Sequence, residues 1–176
     1  DINTNKKTQL TFDGIEDYSY AVNNAGWTKG DNAVLKWSPN SDKIATFKQD
    51  ARGVGEMYLT STNVGHPRLE VWKHPLPGDL KIFKIERVVI HLNGIPKITQ
   101  LKIEPDFQRS TTTDHIAGRG GEFLDVEWSE DGSQLSFVSS SRDHKVAHLK
   151  IANPNTGNVR SVLKEETETY FESGVR

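Results

Sequence analysis

The sequence predicts an all-β chain: a partial β-propeller of about two to three four-stranded antiparallel blades. Three observations point there. First, one stretch occurs twice: residues 34–47 return as residues 125–138. Each copy is a short alternating run ending in Trp-Ser (Trp37-Ser38, Trp128-Ser129), a tight polar turn and a second run. A unit copied within one chain marks a repeat architecture, and four-stranded units joined by hairpins are propeller blades. Second, runs with period-2 alternation follow one another along the chain, while helical periodicity is scarce. Third, the turn pairs Asp13-Gly14, Asn93-Gly94 and Asp131-Gly132 punctuate those runs.

The elements follow in order. Residues 8–12 alternate and stop at Asp13-Gly14, which predicts a strand. Residues 33–37 and 43–48 form a hairpin around Pro39-Asn40-Ser41. Residues 56–60 and 68–72 are two strand-like runs separated by Asn63-Val64-Gly65-His66-Pro67. The stretch His74-Pro75-Leu76-Pro77-Gly78-Asp79 is no central strand, because proline donates no ladder bond. Residues 83–92 form a long strand, Asn93-Gly94 turns it, and residues 97–103 alternate behind it. In the second copy, 123–128 and 134–139 flank Asp131-Gly132, 147–152 is a third strand, and 158–164 follows the turn cluster Asn153-Pro154-Asn155-Thr156-Gly157. A turn or two within 16–26 is the helical expectation.

A blade takes roughly 40–50 residues, and Trp37 and Trp128 stand about two such lengths apart. Either one blade is missed or the first carries an insertion; the insertion, at about 52–80 where Gly and Pro break the pattern, is the preferred reading. Residues 1–176 are then one fragment of a propeller domain: 1–13 ends a blade, 33–104 is a blade with the insertion, and 123–165 is another. A closed propeller has typically 4–8 blades. Two and a fraction leave edges and apolar faces open, so the sequence reads as a piece of a larger domain.

Composition narrows the function. Of 176 residues, 34% are hydrophobic and 26% charged, and the net charge is -2. The 22 basic residues are scattered, which gives no nucleic-acid footprint. No apolar run reaches the roughly 20 residues of a membrane span, and residues 1–25 lack the pattern of a signal peptide. With no cysteine, disulfides, thiolate chemistry and cysteine zinc sites fall away. The G-x-S-x-G elbow is absent, so no catalytic residue is assigned. His144 and His148 are zinc-spaced for a helix, but on a strand that spacing spans about 13 Å. His66, His74, His91 and His115 show no ligand spacing, and neither metal nor cofactor is expected. Glu165-Glu166-Thr167-Glu168 reads as a solvated acidic turn. Trp37 and Trp128 read as packing residues, since a site need not be copied. Trp72 reads as packing of the insertion against the propeller or a partner.

The run Trp27-Thr28-Lys29-Gly30-Asp31-Asn32-Ala33-Val34-Leu35-Lys36-Trp37-Ser38-Pro39 resembles the N-terminal propeller of dipeptidyl peptidase IV-type enzymes, in the prolyl oligopeptidase family of serine peptidases. His66-Pro67-Arg68 and His74-Pro75-Leu76-Pro77-Gly78-Asp79 resemble the two Tyr-Pro motifs of that family's insertion. Gly120-Gly121-Glu122-Phe123-Leu124-Asp125-Val126-Glu127-Trp128 and Ser139-Ser140-Ser141-Arg142-Asp143-His144-Lys145 resemble the next blade of its bacterial branch. The resemblance implies an eight-bladed propeller beside a C-terminal α/β-hydrolase domain that supplies Ser, Asp and His. The propeller walls the chamber and restricts access to peptides. It also implies a periplasmic or extracellular setting and admits a homodimer. A protein-binding propeller without peptidase activity is the alternative reading.

In that family a Glu pair grips the substrate's free amino terminus. The family's Asp-Trp-Val-Tyr-Glu-Glu-Glu segment aligns with Asp17-Tyr18-Ser19-Tyr20-Ala21-Val22-Asn23. The aromatics are kept and the acids are replaced by Ala21, Val22 and Asn23. A neutral segment does not hold an ammonium in the same way. Another exopeptidase or a prolyl endopeptidase activity, or another acidic residue, remains open at this point. Tyr18 and Tyr20 read either as packing aromatics or as substrate contacts. Arg142 and Lys145, in the loop Arg142-Asp143-His144-Lys145, read either as parts of a solvated turn or as substrate contacts facing the chamber.

Overall fold

The computed structural model describes residues 3–23, 32–62, 64–107 and 122–171. His115, residues 24–31 with Trp27, Gly120-Gly121 and the end of the tail lie outside them. Every regular element among the described residues is a strand: β1 (Tyr18–Tyr20), β2 (Lys36–Trp37), β3 (Lys43–Asp50), β4 (Glu56–Ser61), β5 (Arg68–Lys73), β6 (Lys84–His91), β7 (Lys97–Gln100), β8 (Asp106–Phe107), β9 (Val126–Trp128), β10 (Leu135–Ser140), β11 (Val146–Ala152) and β12 (Val159–Glu166).

The strands make two blade-like antiparallel sheets. In the first, β3 and β6 are the centre. One edge of β3 is shared by β1, at Lys48–Asp50, and β2, at Ile44 and Ala45. The far edge of β6 is shared by β7 and β8. Two short strands thus stand where one long strand would, on each side. The second sheet has the order β12-β11-β10-β9. The segment between β3 and β6 leaves the sheet as a separate two-stranded hairpin, β4-β5.

The Trp-Ser repeat has one geometry in both copies. In each, the serine N–H donates across the hairpin (Ser38 to Lys43 O, 2.9 Å; Ser129 to Gln134 O, 3.0 Å). Its hydroxyl accepts the backbone N–H of the same partner residue, Lys43 or Gln134, at 2.9 Å. The turn then needs a left-handed residue, filled by Ser41 (φ 57°) and Gly132 (φ 66°). Only a residue with a small polar side chain or none takes that conformation cheaply.

The core lies between the sheets. Ala45, Phe47, Ile85 and Val89 of the first sheet pack with Phe123, Val126, Leu135 and Phe137, and Phe47 and Phe123 meet at 5.5 Å between centroids. A buried ion pair of the first sheet bonds across the joint to the second. Arg87 Nε donates to Asp106 Oδ2 at 2.8 Å, Arg87 Nη2 to Val138 O at 3.1 Å, and Ser139 Oγ to Asp106 Oδ1. At the other end, Gly157 (φ 73°) lies so close to β7 that an added Cβ would stand 2.3 Å from Gln100 O.

Three expectations are corrected. Residues 8–12 form no strand, because the free edge of β3 is occupied by β1 and β2. No helix forms among the described residues of 16–26, where Tyr18–Tyr20 is a strand instead. The acidic run is not a turn throughout, since Glu165 and Glu166 lie in β12. The two tryptophans also differ: Trp128 is 7% exposed, Trp37 52%.

Candidate functional site

The segment 17–23 is positioned by β3. Two left-handed residues isolate β1, Asp17 (φ 59°) and Ala21 (φ 53°); the conformation costs alanine roughly 1–2 kcal/mol and the short polar aspartate less. Backbone bonds offset that cost: Ala51 N–H donates to Asp17 O (2.8 Å), Ala21 N–H to Phe47 O (2.9 Å) and Val34 N–H to Ala21 O (3.0 Å). Because β1 and β2 lie on one edge of β3, the run from Ala21 to Leu35 interrupts the first strand of the blade. Ala21 and Val22 are half-buried there, and Asn23 is buried.

Both tyrosines enter a charged network. The Tyr18 hydroxyl donates to both Glu86 carboxylate oxygens, at 3.0 and 2.9 Å. Lys48 Nζ lies 3.9 Å from the Tyr18 ring centroid and the Arg52 guanidinium 4.2 Å. Partial burial and the Glu86 carboxylate push the Tyr18 phenol up to about 12. The Tyr20 hydroxyl donates to Asp13 Oδ1 at 2.9 Å, and Lys48 Nζ reaches Asp13 Oδ2 at 2.7 Å. Burial and Asp13 raise the Tyr20 phenol, while Lys48 and then Tyr20 hold the Asp13 carboxyl below its ordinary range. Arg52 forks onto Asp50 at 2.9 and 2.8 Å and lowers that carboxyl. Both phenols stay protonated at neutral pH and act as donors; neither is available as a base.

Arg142 and Lys145 sit elsewhere. Arg142 Nη1 donates to Asp79 O at 2.6 Å, tying the turn after β10 to the insertion. Lys145 has its N–H near Ser141 Oγ (3.1 Å) and Asp143 Oδ1 (3.2 Å), and its side chain is exposed. Asp143, lowered mainly by the Ser141 hydroxyl, organises that turn. No described contact joins these two residues to Tyr18 and Tyr20. Sequence reasoning missed Glu86, Lys48 and Asp13 as tyrosine partners. The available signal was a charged residue inside each of the two long central strands, Lys48 in β3 and Glu86 in β6.

A hollow of about 380 Å³ opens on the second sheet, lined in part by Lys36, Phe123, Asp125, Val138 and Leu149. Lys36 spans the joint beside it, donating to Val126 O at 2.9 Å and pairing with Glu127 at 2.5 Å. Among the described residues, no three His, Asp or Glu side chains are grouped to hold a metal ion. No helix among them is long and apolar enough to cross a membrane.

The family described as the dipeptidyl peptidase IV N-terminal region matches residues 1–175. Among curated proteins none matches the chain. Among solved structures, dipeptidyl peptidase 4 of Porphyromonas gingivalis is similar, with a TM-score of 0.71 and 12% identity over 96% of this chain. A candidate dipeptidyl aminopeptidase IV of Bacteroides ovatus ATCC 8483 has a TM-score of 0.67 and 18% identity over 92% of this chain. The chain spans 22% and 21% of those two proteins, respectively.

Proposed function

From the premise that this chain belongs to the family of dipeptidyl peptidase IV N-terminal regions, we propose that it is a non-catalytic propeller segment of a serine peptidase. In this reading it walls the substrate chamber and restricts entry to peptides, and an α/β-hydrolase domain elsewhere in the polypeptide cuts them. The single observation carrying the reading is the family match over 175 residues that contain no G-x-S-x-G elbow.

The segment Ala21-Val22-Asn23 refines it. Where the family's acids would grip a substrate ammonium, this chain offers no carboxylate. Glu86 and Asp13, the nearby acids of the network, already accept from Tyr18, Tyr20 and Lys48. Discrimination for a free amino terminus is therefore weak. A charge-assisted hydrogen bond contributes about 1.5–3 kcal/mol, roughly ten- to hundredfold in kcat/KM. The test compares peptides with free and blocked amino termini as substrates of the full-length protein. It is expected to show little preference, and Ala21→Glu with Val22→Glu is expected to raise the preference for free termini by that factor. A strong native preference would overturn the assignment, as would a double substitution that leaves the ratio unchanged.

A further inference from the structure

The turn pairs Asp13-Gly14, Asn93-Gly94 and Asp131-Gly132 look alike in the sequence, but their chemical surroundings differ. At Asp131-Gly132 both groups are held. Gly132 N–H donates to Ser129 O at 2.9 Å, and Asp131 Oδ1 accepts from Ser129 Oγ at 2.7 Å and from Ser133 N–H at 3.0 Å. The Ser129 hydroxyl, and then Ser133, hold that carboxyl down at about 2, so it is ionised at neutral pH. Asp13 is clasped by Lys48 Nζ at 2.7 Å and by the Tyr20 hydroxyl at 2.9 Å. Asn93-Gly94 is bare by comparison. It lies in the loop 92–96, which follows the closing pair His91–Lys97 of β6 and β7, and Asn93, Gly94 and Ile95 are all exposed. Leu92 N–H, donating to Asp42 O at 2.9 Å, ties down the start of the loop. Among the described residues nothing accepts the Gly94 N–H and nothing bonds to the Asn93 side-chain amide. Gly94 stands at φ 81°, and apart from its chain neighbours no heavy atom comes within 4 Å of the place a Cβ would take.

We infer that Asn93 is a modification site: it deamidates without an enzyme, through a succinimide formed with Gly94, and becomes isoaspartate. The Gly94 backbone nitrogen gives its proton to solvent base and attacks Asn93 Cγ. The N–Cγ bond forms, the Cγ–Nδ2 bond breaks, and ammonia leaves. Water then opens the ring. Opening at the Asn93 backbone carbonyl routes the chain through the side chain and gives isoaspartate; opening at Cγ gives aspartate. One water is consumed and one ammonia released, with no change of oxidation state. A glycine in the following position allows the close approach that the attack needs, because it has no Cβ and turns freely. At the two Asp-Gly pairs the same ring would have to close on a carboxylate that is already bonded. The product adds a carboxylate, and as isoaspartate an extra backbone methylene, at the end of the sheet where Lys43, His91 and Lys97 are register neighbours. Tyr18 and Tyr20 lie towards the other end of β3.

The test uses the full-length polypeptide, kept folded at physiological temperature and mildly alkaline pH. Trypsin releases residues 88–97 as one peptide, in which Asn93 is the only Asn, Gln or Asp. A zero-time sample corrects for conversion during digestion. Mass spectrometry is expected to show that peptide exchanging an NH2 for an OH group as the protein ages. Electron-transfer fragmentation, which tells isoaspartate from aspartate, is expected to find isoaspartate the larger product. Conversion is expected several-fold faster at Asn93 than isomerisation at Asp13 or Asp131, and several-fold slower in Gly94→Ala. Folded protein that keeps Asn93 intact while a urea-unfolded sample converts would overturn the inference, because the loop would then protect the site. Aspartate without isoaspartate would overturn the succinimide route, as would an unchanged rate in Gly94→Ala. Isomerisation at Asp13 or Asp131 as fast as at Asn93 would overturn the distinction between the turns. None of these readouts depends on peptide cleavage, so a failed peptidase reading stays separable from a failed modification site.

Discussion

Replacing Asp106 by alanine is expected to destabilise the chain more than any surface change, because it strands a buried cation. Arg87 is 3% exposed and Asp106 8%. Breaking a buried pair by removing one partner typically costs 3–5 kcal/mol. Arg87 keeps some support: Val138 O at 3.1 Å, and the Phe137 ring with its centroid 4.5 Å from the guanidinium carbon. Those contacts place the arginine's share at the low end, about 3 kcal/mol. The Ser139 hydroxyl also loses its buried acceptor, which adds about 1 kcal/mol. Asp106→Ala is therefore expected to cost about 4 kcal/mol, whereas Arg87→Met combined with Asp106→Leu is expected to cost only the Ser139 share of about 1 kcal/mol, since both charges leave together. Equilibrium urea unfolding followed by tryptophan fluorescence measures both, with an unchanged m-value as the check on two-state behaviour. A loss under about 1 kcal/mol for the single variant, or a double variant as unstable as the single, would refute the reasoning.

Three further outcomes are expected. Gly157→Ala forces a Cβ to within 2.3 Å of a backbone oxygen at φ 73°; the backbone has no easy retreat, so a loss of at least the ~1–2 kcal/mol of left-handed alanine is expected in the same unfolding assay. Tyr18→Phe removes the donor to Glu86, and a loss of about 1 kcal/mol is expected, with the phenol that titrates at about 12 disappearing from a spectrophotometric titration. Asp42, lowered mainly by Lys43, and Asp50, lowered mainly by Arg52, have folded pKa values below the ordinary 3.8. Their contribution is complete above pH 3.8 and is lost as pH falls below it, so Asp50→Asn is expected to flatten the acid limb of a stability-against-pH curve.

The elements legible in the sequence were those whose local chemistry agrees with their tertiary role. Ser38 and Ser129 bond alike in two equivalent hairpins, and Asn93-Gly94 sits between β6 and β7, so the repeat and the turn pairs led to the strands directly. The all-β class and the propeller likeness followed from them. Residues 8–12 alternate as a strand does, but alternation reports only a half-buried surface. The partner edge they would need is held by β1 and β2. The three residues of β1 were hidden for the converse reason: left-handed Asp17 and Ala21 bound them, and neither residue type announces that conformation. The tyrosine network was hard to read because its members are far apart in sequence: Lys48 and Glu86 meet through strand register, and Asp13 reaches Lys48 and Tyr20 from outside any strand. The unequal exposure of Trp37 and Trp128 was equally out of reach, since the shared Trp-Ser turn does not say which tryptophan faces another sheet.

The measurement that bears most directly on the central claim is active-site labelling of the full-length polypeptide. A fluorophosphonate probe marks an activated serine, and peptide mass spectrometry locates it. The account expects one labelled serine outside residues 1–176, with none of the serines of this chain modified. A labelled serine within residues 1–176 would contradict the non-catalytic role, and a full-length protein that takes no label at all would contradict the assignment to a serine peptidase.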